Sequence, residues 1–263
     1  MEYMSLPKIN NNYIAKIGQT GIVVSGFGYL PSRNEYKVVR ILHPYRLRNP
    51  NDTTGRVEVC TLGKGTSSGW RDAGVITDSL YLHGTHVNGV LYWKDDKNEK
   101  IVCLDLEDEV FRVVPPPPCI RPEKQDIDML YRLVNFGGNL GFIDHVWYGH
   151  VDVWTFKKNR LKGTNDNFNM SGHDYYHNWS WNKEVTIEWV EDTHACHFYE
   201  PFALTKSNEV LVWCDKSIPR CYDPKTRSFT QLIVDDDLKF ETFGGIPHIK
   251  SKVSMKDFGF ISN

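Results

Sequence analysis

The chain has 263 residues, a formal net charge of -2 and a pI near 6.5. Such a balanced charge gives no reason to expect nucleic acid or an anionic membrane as a partner. Aromatic residues make up 13% of the sequence, and Gly and Pro are frequent, which favours packed strands joined by many turns over a helical protein.

The first eight residues, MEYMSLPK, have the pattern of the end of a repeated unit. Tyr3 stands four residues before Pro7, just as Phe111 stands four residues before Pro115 in EVFRVVPPPP. We therefore predict that residues 1–8 form the last strand of a truncated unit whose earlier strands would lie upstream.

Four further units of four strands each are predicted along the chain. Each unit reads as a strand, a tight turn, a strand, a connection, a third strand, an acid-bearing turn and a last strand opened by an aromatic residue. The units comprise residues 22–72, 86–114, 129–189 and 202–234.

The turns inside these units have sequences typical of hairpins. Asn88 and Gly89 tolerate the positive φ that a type I′ turn requires. Two further hairpin turns are predicted at residues 137–139 and 206–208.

Two pairs of segments repeat within the chain: residues 103–106 (CLDL) with 221–224 (CYDP), and residues 57–62 (VEVCTL) with 151–156 (VDVWTF). Asp105 and Asp223 occupy the same place in the first pair, so we predict that both are turn residues that bond their own backbone. The spacing of the repeats is close to the roughly 40 to 50 residues of a four-stranded propeller blade. The fold expected is all-β, a β-propeller of about four recognisable blades in an incomplete ring.

Four segments in order carry a family resemblance: GFGYLPSRNEYKVVRI (26–41), VNGVLYW (87–93), IVCLDLEDEVFRVVPPPP (101–118) and RCYDPKTRSFTQL (220–232). Together they resemble the F-box-associated domain of plant F-box proteins, including its kelch-like and self-incompatibility-type members. The resemblance covers nearly the whole chain and implies one F-box-associated β-propeller domain over residues 1–263.

This resemblance implies a protein-interaction module. In such proteins an N-terminal F-box docks on a Skp-type adaptor of a cullin ubiquitin ligase, and the propeller holds the target protein to be ubiquitinated. We recognise no F-box in this sequence, so a Skp-type adaptor is expected as a partner only if an upstream F-box exists. The alternative is a free-standing propeller that binds a small molecule or a glycan and has no ubiquitin role. A ring of surface aromatic residues near the central channel would distinguish that alternative.

Residues 163–181, GTNDNFNMSGHDYYHNWSW, form an insertion that lengthens the third unit. Most of it is polar and rich in Asn and Gly, which predicts a loop. Tyr175, Tyr176 and Trp179 add large aromatic groups of the kind enriched at interaction hot spots, and we predict that they contact the partner. For the tryptophans, an equally good interpretation is that Trp179 or Trp181 opens the outer strand of the unit.

No pattern in the sequence calls for chemistry. His194, Cys196 and His197 stand close together, but their spacing matches no common zinc pattern, so no metal is predicted. His83 and His86 are interpreted as residues of a solvated strand entry. Residues 63–69, GKGTSSG, lack the order of a phosphate-binding loop, and no Gly-x-Ser-x-Gly motif is present. We therefore expect a protein that is not an enzyme and has no cofactor.

The sequence also suggests where the protein resides. It has no apolar run approaching the roughly 20 residues of a membrane helix, and its first thirty residues do not have the pattern of a signal peptide. We therefore expect the cytoplasm, the nucleus or both. The cysteines are then expected to be reduced, at positions Cys60, Cys103, Cys119, Cys196, Cys214 and Cys221.

Overall fold

The computed structural model describes residues 6–7, 22–43, 54–63, 66–67, 69–95, 100–120, 131–146, 149–159, 176, 178–188, 199–215 and 218–232. Every regular element in these ranges is a β-strand, and none of the described residues belongs to a helix long and apolar enough to cross a membrane. The chain divides into two compact units: unit 1 is Met1–Pro116 with Lys250–Asn263, and unit 2 is Pro117–Ile249.

Sheet 1, the first antiparallel sheet of unit 1, consists of β1 (Ile22–Leu30), β2 (Glu35–His43), β3 (Gly55–Gly63), β4 (Thr66–Ser67) and β5 (Arg71–Ile76). β2 lies between β1 and β3, while β4 and β5 both pair with β3. The turn from β1 to β2 includes Asn34 with a φ of 52°. Asn is among the residues that tolerate this left-handed conformation best, so the hairpin is encoded locally.

Sheet 2, also in unit 1, consists of β6 (Leu80–Val87), β7 (Val90–Asp95), β8 (Ile101–Asp105) and β9 (Phe111–Val114). Each strand pairs antiparallel with the next in the chain. Asn88 and Gly89 form the turn from β6 to β7 with φ values of 48° and 81°, which confirms the predicted hairpin. β6 also runs parallel to β1 at a single bridge between Ser25 and His83.

The core of unit 1 lies between these two sheets. Alternation along each strand directs every second side chain to the same face, and this face of sheet 1 carries Val39, Ile41 and Val59, all with no exposed surface. The facing side chains of sheet 2 include Leu91 and Trp93, which are 0% and 1% exposed. Apolar burial between the two sheets therefore stabilises them as one unit.

Two glycines of β1 allow sheet 2 to approach closely. A Cβ at Gly26 would lie 2.7 Å from the Leu91 side chain, and one at Gly28 would lie 2.5 Å from that of Leu106. These distances are too short for any side chain, so the GFG segment is required by packing against the second sheet.

Sheet 3, in unit 2, consists of β10 (Tyr131–Phe136), β11 (Asn139–Val146), β12 (His150–Lys158) and β13 (Trp179–Glu188). It is an antiparallel meander with a register shift between Val153 and Trp154 of β12. Gly137 and Gly138 join β10 to β11 with φ values of 60° and 78°. This hairpin lies where the sequence predicts one.

Sheet 4 completes unit 2 and consists of β14 (Tyr199–Leu204), β15 (Val210–Cys214), β16 (Ile218–Asp223) and β17 (Ser228–Gln231). Its strands also pair in chain order. The core of unit 2 lies between sheets 3 and 4, with Ile143 and Val153 from sheet 3 and Tyr199 and Val212 from sheet 4, all of them buried. Phe229 of β17 packs against this core, and its ring lies 5.1 Å from that of Tyr199.

The predicted all-β class is confirmed in the described residues, whose strands form sheet 1 with five strands and sheets 2 to 4 with four strands each. The strands differ from the sequence interpretation in some of their limits and in one additional strand. The first strand of sheet 2 begins at Leu80 and not at His86, because Leu80 is buried and begins the pairing with β7, a contact that no local pattern indicates. The two-residue strand β4 was not predicted. Of the truncated strand predicted over residues 1–8, Leu6 and Pro7 are described and are not in a strand, and the other residues lie outside the described residues.

Candidate functional site

The aromatic residues singled out in the insertion lie beside a buried phenylalanine of sheet 3. Phe156 of β12 is 1% exposed. Its ring centre lies 5.4 Å from that of Tyr176, 5.3 Å from that of Trp179 and 5.1 Å from that of Trp181. We call these four residues the Phe156 cluster.

Strand register explains why the cluster forms. Trp181 is the direct partner of Phe156, and Trp179 is the partner of Lys158. Because residues two apart on a strand share a face, both tryptophans lie on the side of the sheet that carries Phe156. The backbone N–H of Trp179 donates a bond of 2.9 Å to the carbonyl oxygen of Tyr176, which holds the tyrosine at the entry to β13.

The structure thus brings together two of the three residues predicted to contact a partner. Tyr176 and Trp179 are half-buried, and their rings meet edge to face at 5.9 Å. Tyr175 lies outside the described residues, as do residues 163–174 of the predicted insertion. Trp179 is also the first residue of β13, so the interpretation that it opens the outer strand describes its position. Partner contact stays a prediction for all three.

Sequence reasoning missed the residues that support this surface. Phe156 belongs to the repeated segment 151–156, but only the pairing of β12 with β13 places it beneath the insertion aromatics. The aromatic contacts continue inward from Trp181 to Phe142, with ring centres 6.0 Å apart, and from Phe142 to Tyr131 at 5.3 Å. The period-2 alternation of large aromatic residues was the only signal available in the sequence.

Charged side chains hold the edge of the same strand pair. Lys157 of β12 lies 2.7 Å from the carboxylate of Glu184, and the Thr155 hydroxyl donates to that carboxylate at 2.5 Å. Burial alone would raise the pKa of Glu184, but the hydrogen bonds from Lys157 and Thr155 lower it below its usual range. Glu184 is therefore ionised at neutral pH and ties β13 to β12.

The repeated acids of the third strands are both paired internally. Asp152 of β12 is 4% exposed and accepts bonds from Lys183 at 2.7 Å and from Thr186 at 2.6 Å. Glu58 of β3 is 9% exposed and lies 2.5 Å from the guanidinium of Arg40. These contacts assign both acids to the sheets themselves, a pairing that their common place in the repeat did not reveal.

The turn acids behave as predicted. The Asp105 carboxylate accepts a bond of 2.8 Å from the backbone N–H of Glu107, and the Asp223 carboxylate accepts one of 2.8 Å from that of Lys225. A side-chain bond to the backbone N–H two residues later defines an Asx turn, so both acids have the predicted structural role.

The two histidines of HGTH have different surroundings. His83 is exposed, and its Nδ1 lies 2.8 Å from the Ser25 hydroxyl. His86 is half-buried near the end of β6, and its Nε2 lies 3.1 Å from the Tyr29 carbonyl oxygen. Burial lowers the pKa of His86, although the bond to Tyr29 opposes this effect. The interpretation of His86 as part of a solvated strand entry is therefore wrong, because β6 continues through it.

The described cysteine thiols have environments typical of packing residues. None of the five described cysteines is in a disulfide; Cys60, Cys103, Cys214 and Cys221 are buried, and Cys119 is half-buried. Burial, reinforced by the charge of Asp144, raises the pKa of the Cys119 thiol to about 12, and burial also raises the pKa of Cys60 and Cys221. Thiols with raised pKa are protonated at neutral pH and are poor nucleophiles.

Metal ligation has no candidate within the part of the chain that the structure describes. No group of three His, Cys, Asp or Glu side chains there is placed to hold a metal ion. The cluster His194, Cys196 and His197 lies outside the described residues, so the sequence prediction for it stays as stated. The arrangement that remains is an aromatic surface suited to binding by contact.

Comparison with known proteins places these features in a family. The F-box associated beta propeller domain family matches residues 1–244. F-box protein At3g07870 of Arabidopsis thaliana is 25% identical over 268 residues, which cover 88% of this chain and 58% of that protein. F-box protein At3g49450 of the same plant is 29% identical over 57% of this chain and 34% of that protein.

The chain spans only about half the length, or less, of these curated relatives. A solved structure of HIRA residues 644–1017 covers 80% of this chain and 52% of that chain at 11% identity, with a TM-score of 0.34. The propeller assignment rests on the family match and on the antiparallel sheets.

Proposed function

This chain belongs to the F-box associated beta propeller domain family, and from that membership we propose that it is the target-recognition module of a plant ubiquitin ligase. In this proposal the domain binds a target protein non-covalently and performs no chemical step itself. The ligase supplies the chemistry, and the domain supplies the selectivity.

The observation that carries the proposal is the extent of the family match. It covers residues 1–244, and therefore the described strands of both units, and the curated relatives are named F-box proteins. An F-box joins a Skp-type adaptor, so we propose this adaptor as a second partner if an upstream F-box exists. Action in the cytoplasm, the nucleus or both is part of the same proposal, with no role for nucleic acid or membrane.

For the target-binding surface we propose Tyr175, Tyr176 and Trp179. Two of these residues are half-buried and packed on Phe156, so their rings are held in place before a partner arrives. Rigid aromatic groups lose little conformational entropy on binding, which is why Trp and Tyr dominate interface hot spots.

The ligase part of the proposal is tested by co-precipitation of the full-length gene product with a Skp-type adaptor, in parallel with this chain alone. We expect the full-length product to bind the adaptor. If it does not bind, the ubiquitin role is refuted and a free-standing binding propeller is the better account. Cross-linking in plant cells followed by the same co-precipitation identifies candidate target proteins. The abundance of a true target should rise when the gene is disrupted.

The binding surface is tested with the matched variants Trp179→Ala and Trp181→Ala. Both tryptophans contact Phe156, so both substitutions remove similar packing from sheet 3. We expect Trp179→Ala to weaken binding of the identified target at least tenfold, a change typical of a hot-spot residue of about 2 kcal/mol. Trp181→Ala should have a much smaller effect on binding at equal thermal stability. Equal losses in both variants would mean that Trp179 acts through the fold alone.

A further inference from the structure

A second fixed aromatic group lies in unit 1, around Trp70. This residue immediately precedes β5, and its indole Nε1–H donates a hydrogen bond of 2.8 Å to the carbonyl oxygen of Pro7. The two residues are 63 positions apart, so the bond is a tertiary contact between sheet 1 and the beginning of the chain. Neither the candidate site nor the proposed function involves it.

The indole ring is held from the side of sheet 1 by a buried ion pair. The guanidinium carbon of Arg40 lies 3.8 Å from the centre of the Trp70 ring. Arg40 is only 6% exposed and is itself held at 2.5 Å by the Glu58 carboxylate. A ring stacked on a paired and buried guanidinium has little freedom to turn, so sheet 1 sets the direction of the N–H donor.

The Leu6–Pro7 step has the chemistry that such a donor requires. Proline has no backbone N–H, so its carbonyl is the only main-chain group that it can offer. The residue before a proline is restricted to extended conformations, so the step presents this carbonyl from a largely preformed backbone. Leu6 and Pro7 are both exposed, with 39% of Leu6 accessible, which leaves the Trp70 bond as a directional contact on an otherwise open segment.

The same face of sheet 1 also carries apolar surface. Ser25 of β1 is the direct partner of Arg40, so Phe27, two residues further along, points to the same side. Phe27 is 56% exposed, and its ring stacks on Tyr36 with centres 5.5 Å apart. The face that carries Trp70 and Arg40 is therefore one on which further polypeptide can be buried with a gain in free energy.

We propose that Trp70 and Arg40 form an anchoring site for the chain's own Leu6–Pro7 step, and that this site fastens the N-terminal segment to sheet 1. Arg40 orients the ring, and the indole N–H captures the proline carbonyl. This inference is independent of the proposed function, because it concerns a contact within unit 1.

The proposal is tested by limited trypsin digestion of the whole chain and its variant Trp70→Phe. Phenylalanine keeps a ring over Arg40 but removes the N–H donor. Lys8 follows Pro7 directly and is a trypsin site. Loss of one hydrogen bond should raise the initial rate of cleavage after Lys8 by roughly three- to tenfold, because the segment then opens more often.

Two controls separate the anchor from a general loss of stability. Trp154 in unit 2 also has a cation over its ring, Lys183 at 5.2 Å, but its indole N–H has no hydrogen-bond partner among the described residues. The variant Trp154→Phe therefore makes the same chemical change without breaking such a bond. Within unit 1, cleavage after Lys94, which is 7% exposed in β7, reports unfolding of the unit.

The anchor is supported if Trp70→Phe is cleaved faster than wild type after Lys8 while its cleavage rate after Lys94 is unchanged. The variant Trp154→Phe should then be cleaved after Lys8 at the wild-type rate. An unchanged Lys8 rate overturns it. A parallel rise at Lys8 and Lys94 overturns it as well, because the substitution would then act through the stability of the whole unit.

Discussion

The ion pair that joins sheet 2 to sheet 1 gives the sharpest stability prediction. Glu109 stands in the turn from β8 to β9 with a φ of 58° and reaches Lys37 of β2 at 2.7 Å. The side chain of Lys37 is only 4% exposed, and its amine also donates to the Leu106 carbonyl oxygen. Arg71 of β5 is the second cation on the same carboxylate. The perturbation is Glu109→Gln, which keeps the shape and removes the charge.

The expected cost follows from the burial of the lysine. Removal of one partner from a buried ion pair costs about 3–5 kcal/mol, because the other charge stays buried without compensation. The introduced amide would still accept a hydrogen bond, and Arg71 is 44% exposed and can turn to water, so we expect a cost just below that range, about 2–3 kcal/mol. With a slope of about 2 kcal/mol per molar urea, the unfolding midpoint should fall by roughly 1 M.

The assay is unfolding in urea, monitored by the hydrogen exchange of peptides from β2 and β9. These peptides report unit 1 specifically, which matters because two compact units can unfold separately. The control is Glu107→Gln in the same turn, whose side chain is 55% exposed and should contribute less than about 0.5 kcal/mol. The double variant Lys37→Met with Glu109→Gln should recover at least half of the loss. Equal midpoints for Glu109→Gln and Glu107→Gln would refute the reasoning.

Three further predictions concern pH and turns. Burial raises the pKa of Glu109, but the bonds from Arg71 and Lys37 outweigh this effect and hold the pKa below its usual range. The stabilisation of the folded state by ionised Glu109 should therefore be complete above about pH 4.3 and lost as the pH falls further. The urea midpoint of the wild type should therefore drop more steeply than that of Glu109→Gln below that pH, and parallel curves would contradict this. Gly89→Ala should cost about 1–2 kcal/mol because φ is 81°, whereas Gly69→Ala, whose Cβ would meet no atom within 4 Å, should be nearly neutral in thermal unfolding. Asp223→Ala should lower the melting temperature and Asp223→Asn should lower it much less, since Asn keeps the acceptor for the Lys225 N–H; equal losses would exclude the Asx turn as the cause.

Much of the fold can be read from local sequence because its signals are short-range. The Asn88-Gly89 turn follows from the φ values these two residues tolerate, and Asp105 and Asp223 follow from a bond to a backbone group two residues away. Both features depend on neighbouring residues only. The beginning of β6 at Leu80 was missed because it depends on pairing with Asp95, about fifteen residues further along the chain.

The candidate site shows the same division. Composition was enough to single out Tyr176 and Trp179, since two large aromatic residues in a polar, Asn-rich insertion are conspicuous. Their support by Phe156 depends on the pairing of β12 with β13, and a shift of one residue would have turned Trp179 and Trp181 to the opposite face. Register across a long insertion is a property of the folded sheet.

The sequence alone determined the all-β class and the repeated unit of strands, because alternation, turn chemistry and repeat spacing are written in consecutive residues. The family followed from the resemblance of four sequence segments to known members. Only the tertiary structure decided which charges are paired and which aromatic groups are anchored. Lys37 meets Glu109 across 72 positions, and Trp70 meets Pro7 across 63. Such contacts depend on how the sheets pack and pair, and at Lys37 burial strengthens the contact by removing the competing bonds to water.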